Sequence, residues 1–311
     1  MTGESAYLLT PGGRSVRSRT MPLLAMLSGM IFLPILGGVM VVAGSTLESV
    51  VIVLLGLFIG GASFTGVTIG MWVALFKGLS KLREAQMYLG QGNTTAARAL
   101  AQWPLAWVFR ADQRTRAFYT LGQCAELDGQ FDDAALLFQE AIGSSPAFAV
   151  SRIRNHLVAH ASSHRAFALA AAGRIPEAKE ALGRAHHALL ALMGPQGTLG
   201  SLFDDSNWGM GAASLNQTVR DMDNRDPRAF AVLAGVVLAY RANEPQAALD
   251  VVSREGRALW SLLPHEAALI KRVQTASQTA LAQGGAMRQE GMIAPEDPRI
   301  ARWVERALGH A

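Results

Sequence analysis

The sequence predicts an all-α protein, a two-helix transmembrane hairpin followed by an α-solenoid. Three observations predict it. Two long uncharged apolar runs lie in the first 76 residues. The rest reads helical, with no strand-length alternation of apolar and β-branched residues. Turn glycines recur at intervals of a few tens of residues, the signature of stacked hairpins.

Composition supports the division. Of 311 residues, half are apolar and 17% are charged, below the roughly 25% of an average soluble protein. Residues 1–76 hold five charged side chains, Glu4, Arg14, Arg17, Arg19 and Glu48, so the apolar excess is local. Cys124 is the single cysteine, which excludes an internal disulfide and fits a reducing compartment.

Residues 1–20 read as a cytoplasmic N-terminal tail and 21–76 as the hairpin. Met21–Ala43 and Val50–Phe76 carry no charge over 23 and 27 residues. Each is long enough to cross about 30 Å of hydrocarbon as a helix. Arg14, Arg17 and Arg19 precede the first run and Lys77, Lys81 and Arg83 follow the second. Basic flanks stay inside, so the expectation is a multi-pass protein of the cell inner membrane with both termini cytoplasmic and the lipid bilayer as a partner. A cleaved signal peptide has a shorter apolar region, about 7–15 residues. Neither run contains an ionisable group, which argues against a transporter or pump. In the second run Gly56, Gly60, Ala62, Gly66 and Gly70 recur at small-xxx-small spacing. Small residues four apart let another helix backbone approach. The pattern fits packing against the first run, with its Gly37 and Gly38, and it fits a homo-oligomer.

Residues 77–193 read as helical repeats. Phe118-x-x-Leu121-Gly122-x-x-Ala125 leads to Gly129, then Ala134-x-x-x-Phe138-x-x-Ala141 and Pro146. Small residues let two antiparallel helices approach, Phe118 and Phe138 fill the space between repeats, and Gly129 permits the turn. Fainter copies place Ala85, Tyr88, Gly92 and Ala97 before it, cut short by Trp103-Pro104, and Ala166, Leu169, Gly173, Ala178 and Ala185 after it. A fourth candidate has Gly235 with Ala247. The turn glycines stand 37 and 44 residues apart, so spacing is uneven. Residues 194–226 form a Gly-rich loop that reads equally as a groove-lying segment or a plain linker. Residues 227–311 return to helix, over 227–242, 245–261 and 264–283, with a capping helix from Asp297-Pro298 that aligns Ile300, Trp303, Val304, Ala307 and Leu308.

Residues 115–148 resemble a tetratricopeptide repeat (TPR), with Phe118 in place of the usual Trp and Ala125 where Tyr is expected. The resemblance implies protein–protein recognition in a concave groove lined by the first helix of each repeat. Carried to this chain, the groove positions are Arg83 and Gln86, then Arg116, Tyr119, Thr120, Gln123 and Glu126, then His160, Ser163, His164 and Phe167. The family's carboxylate clamp has asparagines where Thr120 and His164 stand, which separates this chain from that variety.

Other chemistry is weakly signalled. His156, His160 and His164 fall four apart on one helical face, a spacing that can chelate a metal, but no acidic ligand shares the helix and H-E-x-x-H is absent. Gly209-Met-Gly211 lacks a preceding strand, and Asp221-x-Asp223 lacks the glycine of a calcium loop. No Walker motif or nucleophile elbow occurs, and Cys124 reads as a packed thiol. No cofactor is expected. Beyond Phe76 there are 25 basic and 22 acidic residues, interspersed, so nucleic acid is not an expected partner. Arg outnumbers Lys 24 to 4, which suggests a bacterium. The expectation is a non-enzymatic membrane-anchored adaptor that recruits a protein at the cytoplasmic face. The alternative is an oligomeric membrane subunit of a larger complex, assembled through the Gly-rich runs.

Overall fold

The computed structural model describes residues 21–47, 49–107, 111–144, 151–193, 226–254, 258–287 and 297–309. Its elements are helical throughout, and among the described residues there is no strand. The order is α1 (Met21–Thr46), α2 (Val50–Gly90), α3 (Thr94–Trp107), α4 (Ala111–Leu127), α5 (Phe131–Gly143), α6 (Ser151–Ala171), α7 (Ile175–Met193), α8 (Pro227–Arg241), α9 (Pro245–Arg254), a 3-10 turn (Ala258–Ser261), α10 (Pro264–Gln283) and α11 (Pro298–Leu308).

Helices α1 and α2 form an antiparallel hairpin seated on glycine. A Cβ on Gly37 would stand 2.7 Å from the Gly56 carbonyl oxygen and 2.8 Å from the Gly60 backbone, and one on Gly44 would stand 2.7 Å from the Val53 nitrogen. Gly56 and Gly60 thus serve the intrachain contact, while Gly38, Gly61, Gly66 and Gly70 face open space. The side chain of Ala62 lies outside the described set.

The transmembrane expectation is corrected here. Among the described residues no helix is long and apolar enough to cross a membrane. That finding overturns the multi-pass inner-membrane placement with both termini cytoplasmic. The second apolar run also does not end as a separate element. It continues as one 41-residue helix through Lys77, Lys81, Arg83 and Glu84 into the first repeat, so the boundary expected at residue 77 falls inside α2.

Four hairpins, α2–α3, α4–α5, α6–α7 and α8–α9, close on one turn. Gly92, Gly129, Gly173 and Asn243 take left-handed φ of 74°, 71°, 82° and 56°. Each donates its N–H to the carbonyl three residues back, on Leu89, Glu126, Ala170 and Tyr240, at 2.9–3.1 Å. The next residue donates five back, to Tyr88, Ala125, Leu169 and Ala239, at 2.8–2.9 Å. These bonds satisfy carbonyls that a helix end leaves open, and the left-handed residue makes the geometry accessible. Four residues further on stands a buried alanine in every case, Ala97, Ala134, Ala178 and Ala248. The fourth repeat therefore turns at Asn243, and its buried alanine is Ala248, one residue past the expected Ala247. Helix α3 also runs through Pro104 to Trp107 instead of stopping at Trp103, and the expected helix 245–261 ends at Arg254, with the 3-10 turn beyond.

The core follows from residue size. Ala85, Ala125, Ala134, Ala141, Ala166 and Ala178 are fully buried and allow the helices to approach. Gly122 is required more strictly, because a Cβ there would stand 2.7–2.9 Å from the Phe138 ring. Phe118, Tyr119, Phe138, Phe167 and Phe230 fill the remaining volume, and one contiguous apolar cluster runs from Leu82 to Leu308.

Polar ties link successive turns. Asp128, beside the α4–α5 turn, accepts from Thr94 Oγ1 at 2.7 Å and from the Arg98 guanidinium at 2.9 Å, fixing α3. Arg241, at the end of α8, donates to the Ala171 carbonyl at 2.6 Å. Asn243 Oδ1 accepts from the Met287 N–H at 2.8 Å.

Candidate functional site

The polar positions expected to line a groove form a strip across α2, α4 and α6. The structure brings them together but encloses them. Arg116, Tyr119, Thr120, Gln123, Glu126, His160, Ser163, His164 and Phe167 are all 5% exposed or less. Arg83 is exposed and Gln86 half-buried. The expectation of an open inner curve is corrected accordingly: the C-terminal helices fold back over α4 and α6.

At the α2 side of the strip, Gln86 Nε2 donates to Thr120 Oγ1 at 2.8 Å and to Gln123 Oε1 at 3.3 Å. Further along α4, Glu126 Oε2 lies 2.9 Å from His164 Nδ1 on α6. The imidazole of His164 is fully buried and is held between two rings, Phe138 at 4.9 Å and Phe230 of α8 at 3.5 Å between centroids. Tyr119 meets it edge-on at 5.3 Å and meets His160 at 6.3 Å. The Glu126 carboxylate oxygen and His164 Nδ1 satisfy each other in a region that water does not reach, which offsets part of the cost of burying both.

The second cover is α11. Trp303 Nε1 donates to the Glu126 carbonyl at 2.8 Å, and the indole stacks on Phe167 at 5.8 Å with 26° between planes. Phe131 and His265 meet the same ring edge-on at 6.0 and 4.6 Å. Arg306 donates to the Asp128 carbonyl at 2.9 Å. Two residues of the expected groove, Glu126 and Phe167, are thus in contact with this chain's own tryptophan.

The remaining candidates are accounted for individually. Of the spaced histidines, His164 is committed to Glu126, His160 packs on Tyr119, and the side chain of His156 lies outside the described set. Among the described residues no group of three or more His, Cys, Asp or Glu is placed to hold a metal ion. Cys124 is buried, and burial, reinforced by the nearby Asp128 carboxylate, pushes its thiol up to about 12. Such a thiol stays protonated and is a poor nucleophile near neutral pH. Gly209, Gly211, Asp221 and Asp223 lie outside the described residues, whereas Asp226 caps α8 by accepting from the Arg228 N–H at 2.9 Å.

Sequence reasoning missed Phe230 and the target of Trp303. The apolar stripe of α11 was readable at helical spacing, but nothing local specifies that its partner lies 177 residues earlier. No family model matches this chain, and neither a curated protein nor a solved structure matches it.

Proposed function

We propose that this chain is a repeat scaffold of the tetratricopeptide type that binds another polypeptide, acting by recognition rather than by catalysis. The observation that carries this reading is the turn shared by four hairpins, with one hydrogen-bond register and one buried alanine each. Stacked hairpins of this kind present extended surfaces suited to peptide and helix partners. The reachable part of the strip is on α2, where Arg83 and Met87 are exposed beside Gln86. The near balance of charge beyond Phe76 supports a protein rather than a nucleic acid as partner.

A second reading is favoured by one specific observation. Gly61, Gly66 and Gly70 of α2 face open space, and Phe58, Ile69, Val73 and Phe76 nearby are exposed. A face of small and large apolar residues suits assembly as a subunit of a larger complex.

One experiment separates the two. The tagged full chain and its Arg83→Glu/Gln86→Ala variant are used for affinity capture alongside an untagged copy. Loss of a specific partner in the variant supports recognition through the strip. An unchanged partner set counts against it, and retrieval of the untagged copy by both proteins favours assembly.

A further inference from the structure

We propose that the surface beneath α11 is a helix-binding site, that α11 is its resident occupant, and that its external partner is an amphipathic helix carrying a tryptophan followed one turn later by an arginine. The inference deepens the recognition reading and rests on it for the existence of an outside partner.

Helix α11 is a self-contained module. Asp297 caps its start by accepting from the Arg299 N–H at 2.7 Å, and Gly309 ends it with a left-handed φ of 82°. One face, Trp303, Val304, Ala307 and Leu308, is buried, while Arg299, Arg302 and Arg306 are exposed. An isolated helix of 11 residues is marginal in water, so its order depends on docking.

The seat is specific in shape and in charge. The indole enters a slot walled by Phe131, Phe167 and His265. The acceptors facing it, the carbonyls of Glu126 and Asp128, lie at the C-terminal end of α4, where the helix dipole is negative. That end selects an N–H donor and a cation, which Trp303 and Arg306 supply. Gly129 keeps the seat clear, because a Cβ there would stand 2.8 Å from Arg306 Cδ. At the far end of α11, a Cβ on Gly309 would meet the Arg241 guanidinium at 2.8 Å, the same group that closes the end of α6. Any helix with this face replaces α11 contact for contact. Tethering gives α11 an effective concentration on the order of millimolar, so with an intrinsic Kd of about 10 µM for α11 on its own seat an outside helix is weakened roughly 100-fold until α11 lets go.

The test uses the full chain and a labelled peptide with the sequence of residues 297–311. Trp303→Ala in the chain empties the slot without touching its walls. The variant should bind the peptide at least about 10-fold more tightly than the unmodified chain, and a peptide lacking its own tryptophan should not bind. A folded Trp303→Ala chain that binds neither peptide, or both alike, overturns the proposal. If that variant does not fold, Arg306→Ala releases the clamp and is read by the same criteria. Amide hydrogen exchange on the unmodified chain gives an independent arm. The amides of 298–308 should exchange through an opening that leaves α4 and α6 protected. Exchange of α11 only together with that core makes it a fixed cap and sinks the proposal. These measurements concern the seat alone, so they fail independently of the capture experiment on Arg83 and Gln86.

Discussion

The pair of Glu126 and His164 carries the clearest consequence at the scale of single residues. Both are buried, and the imidazole is flanked by Phe138 and Phe230, so neither can turn to water if its partner is removed. His164→Leu leaves a carboxylate in an apolar enclosure and should cost about 3–5 kcal/mol. Replacing both, Glu126→Leu with His164→Leu, removes two desolvation penalties together and should recover most of that loss. Urea unfolding of the four proteins checks the cycle. A double variant as unstable as the sum of the singles would show that the pair is not the unit of stability. The sequence placed both residues on facing helices but assigned them to an open surface. Residue type misled there, since Glu and His are usually exposed, and the long-range arrival of Phe230 on His164 and of Trp303 on Glu126 covers them.

Among elements, the shared turn is the most informative feature. Glycine occupies the left-handed position in three hairpins and Asn243 in the fourth. Asparagine tolerates that conformation at small cost, so Asn243→Gly gains only a few tenths of a kcal/mol from backbone relief. It also removes the 2.8 Å bond from the Met287 N–H to Asn243 Oδ1, a net contribution of about 1 kcal/mol. The bond wins, and the substitution should destabilise by roughly 0.5–1 kcal/mol in denaturant titration, whereas propensity alone predicts the opposite sign. Three of the four turns were legible because glycine marks them. The fourth turn has no glycine to mark it, because Asn243 stands there, and its buried alanine was read one residue early, as Ala247 instead of Ala248. Pro104 misled in the opposite direction. A proline removes one backbone donor, which suggested a stop, yet packing of Ala101 and Leu105 into the core carries α3 past it.

For the molecule as a whole, one apolar cluster spans both sides of residues 194–225. Phe230 lies fully buried on His164, and Arg241 is bonded to the end of α6, so α8 shares its core with the repeats before it. A repeat array with only neighbour contacts unfolds piecewise, whereas bridging contacts couple distant parts. Phe230→Ala should therefore cost about 3–5 kcal/mol and shift a single urea transition without changing its slope. Two resolved transitions would show that the two halves fold independently. The helical class and most helix boundaries were legible from periodicity, caps and proline positions. The closure was not, because a stripe of Trp303, Val304, Ala307 and Leu308 states that something is covered without stating what.

That late-arriving cover sets an order of events during synthesis. Among the described helices α11 leaves the ribosome last, with Trp303 made 177 residues after Glu126. At about 5–20 residues per second this interval lasts roughly 9–35 s. The slot is complete only once its last wall, His265, is made 38 residues before Trp303, so for the final roughly 2–8 s of that interval the nascent chain carries a finished aromatic slot with nothing of its own to fill it. A helix already waiting nearby meets its least contested opportunity before translation is over.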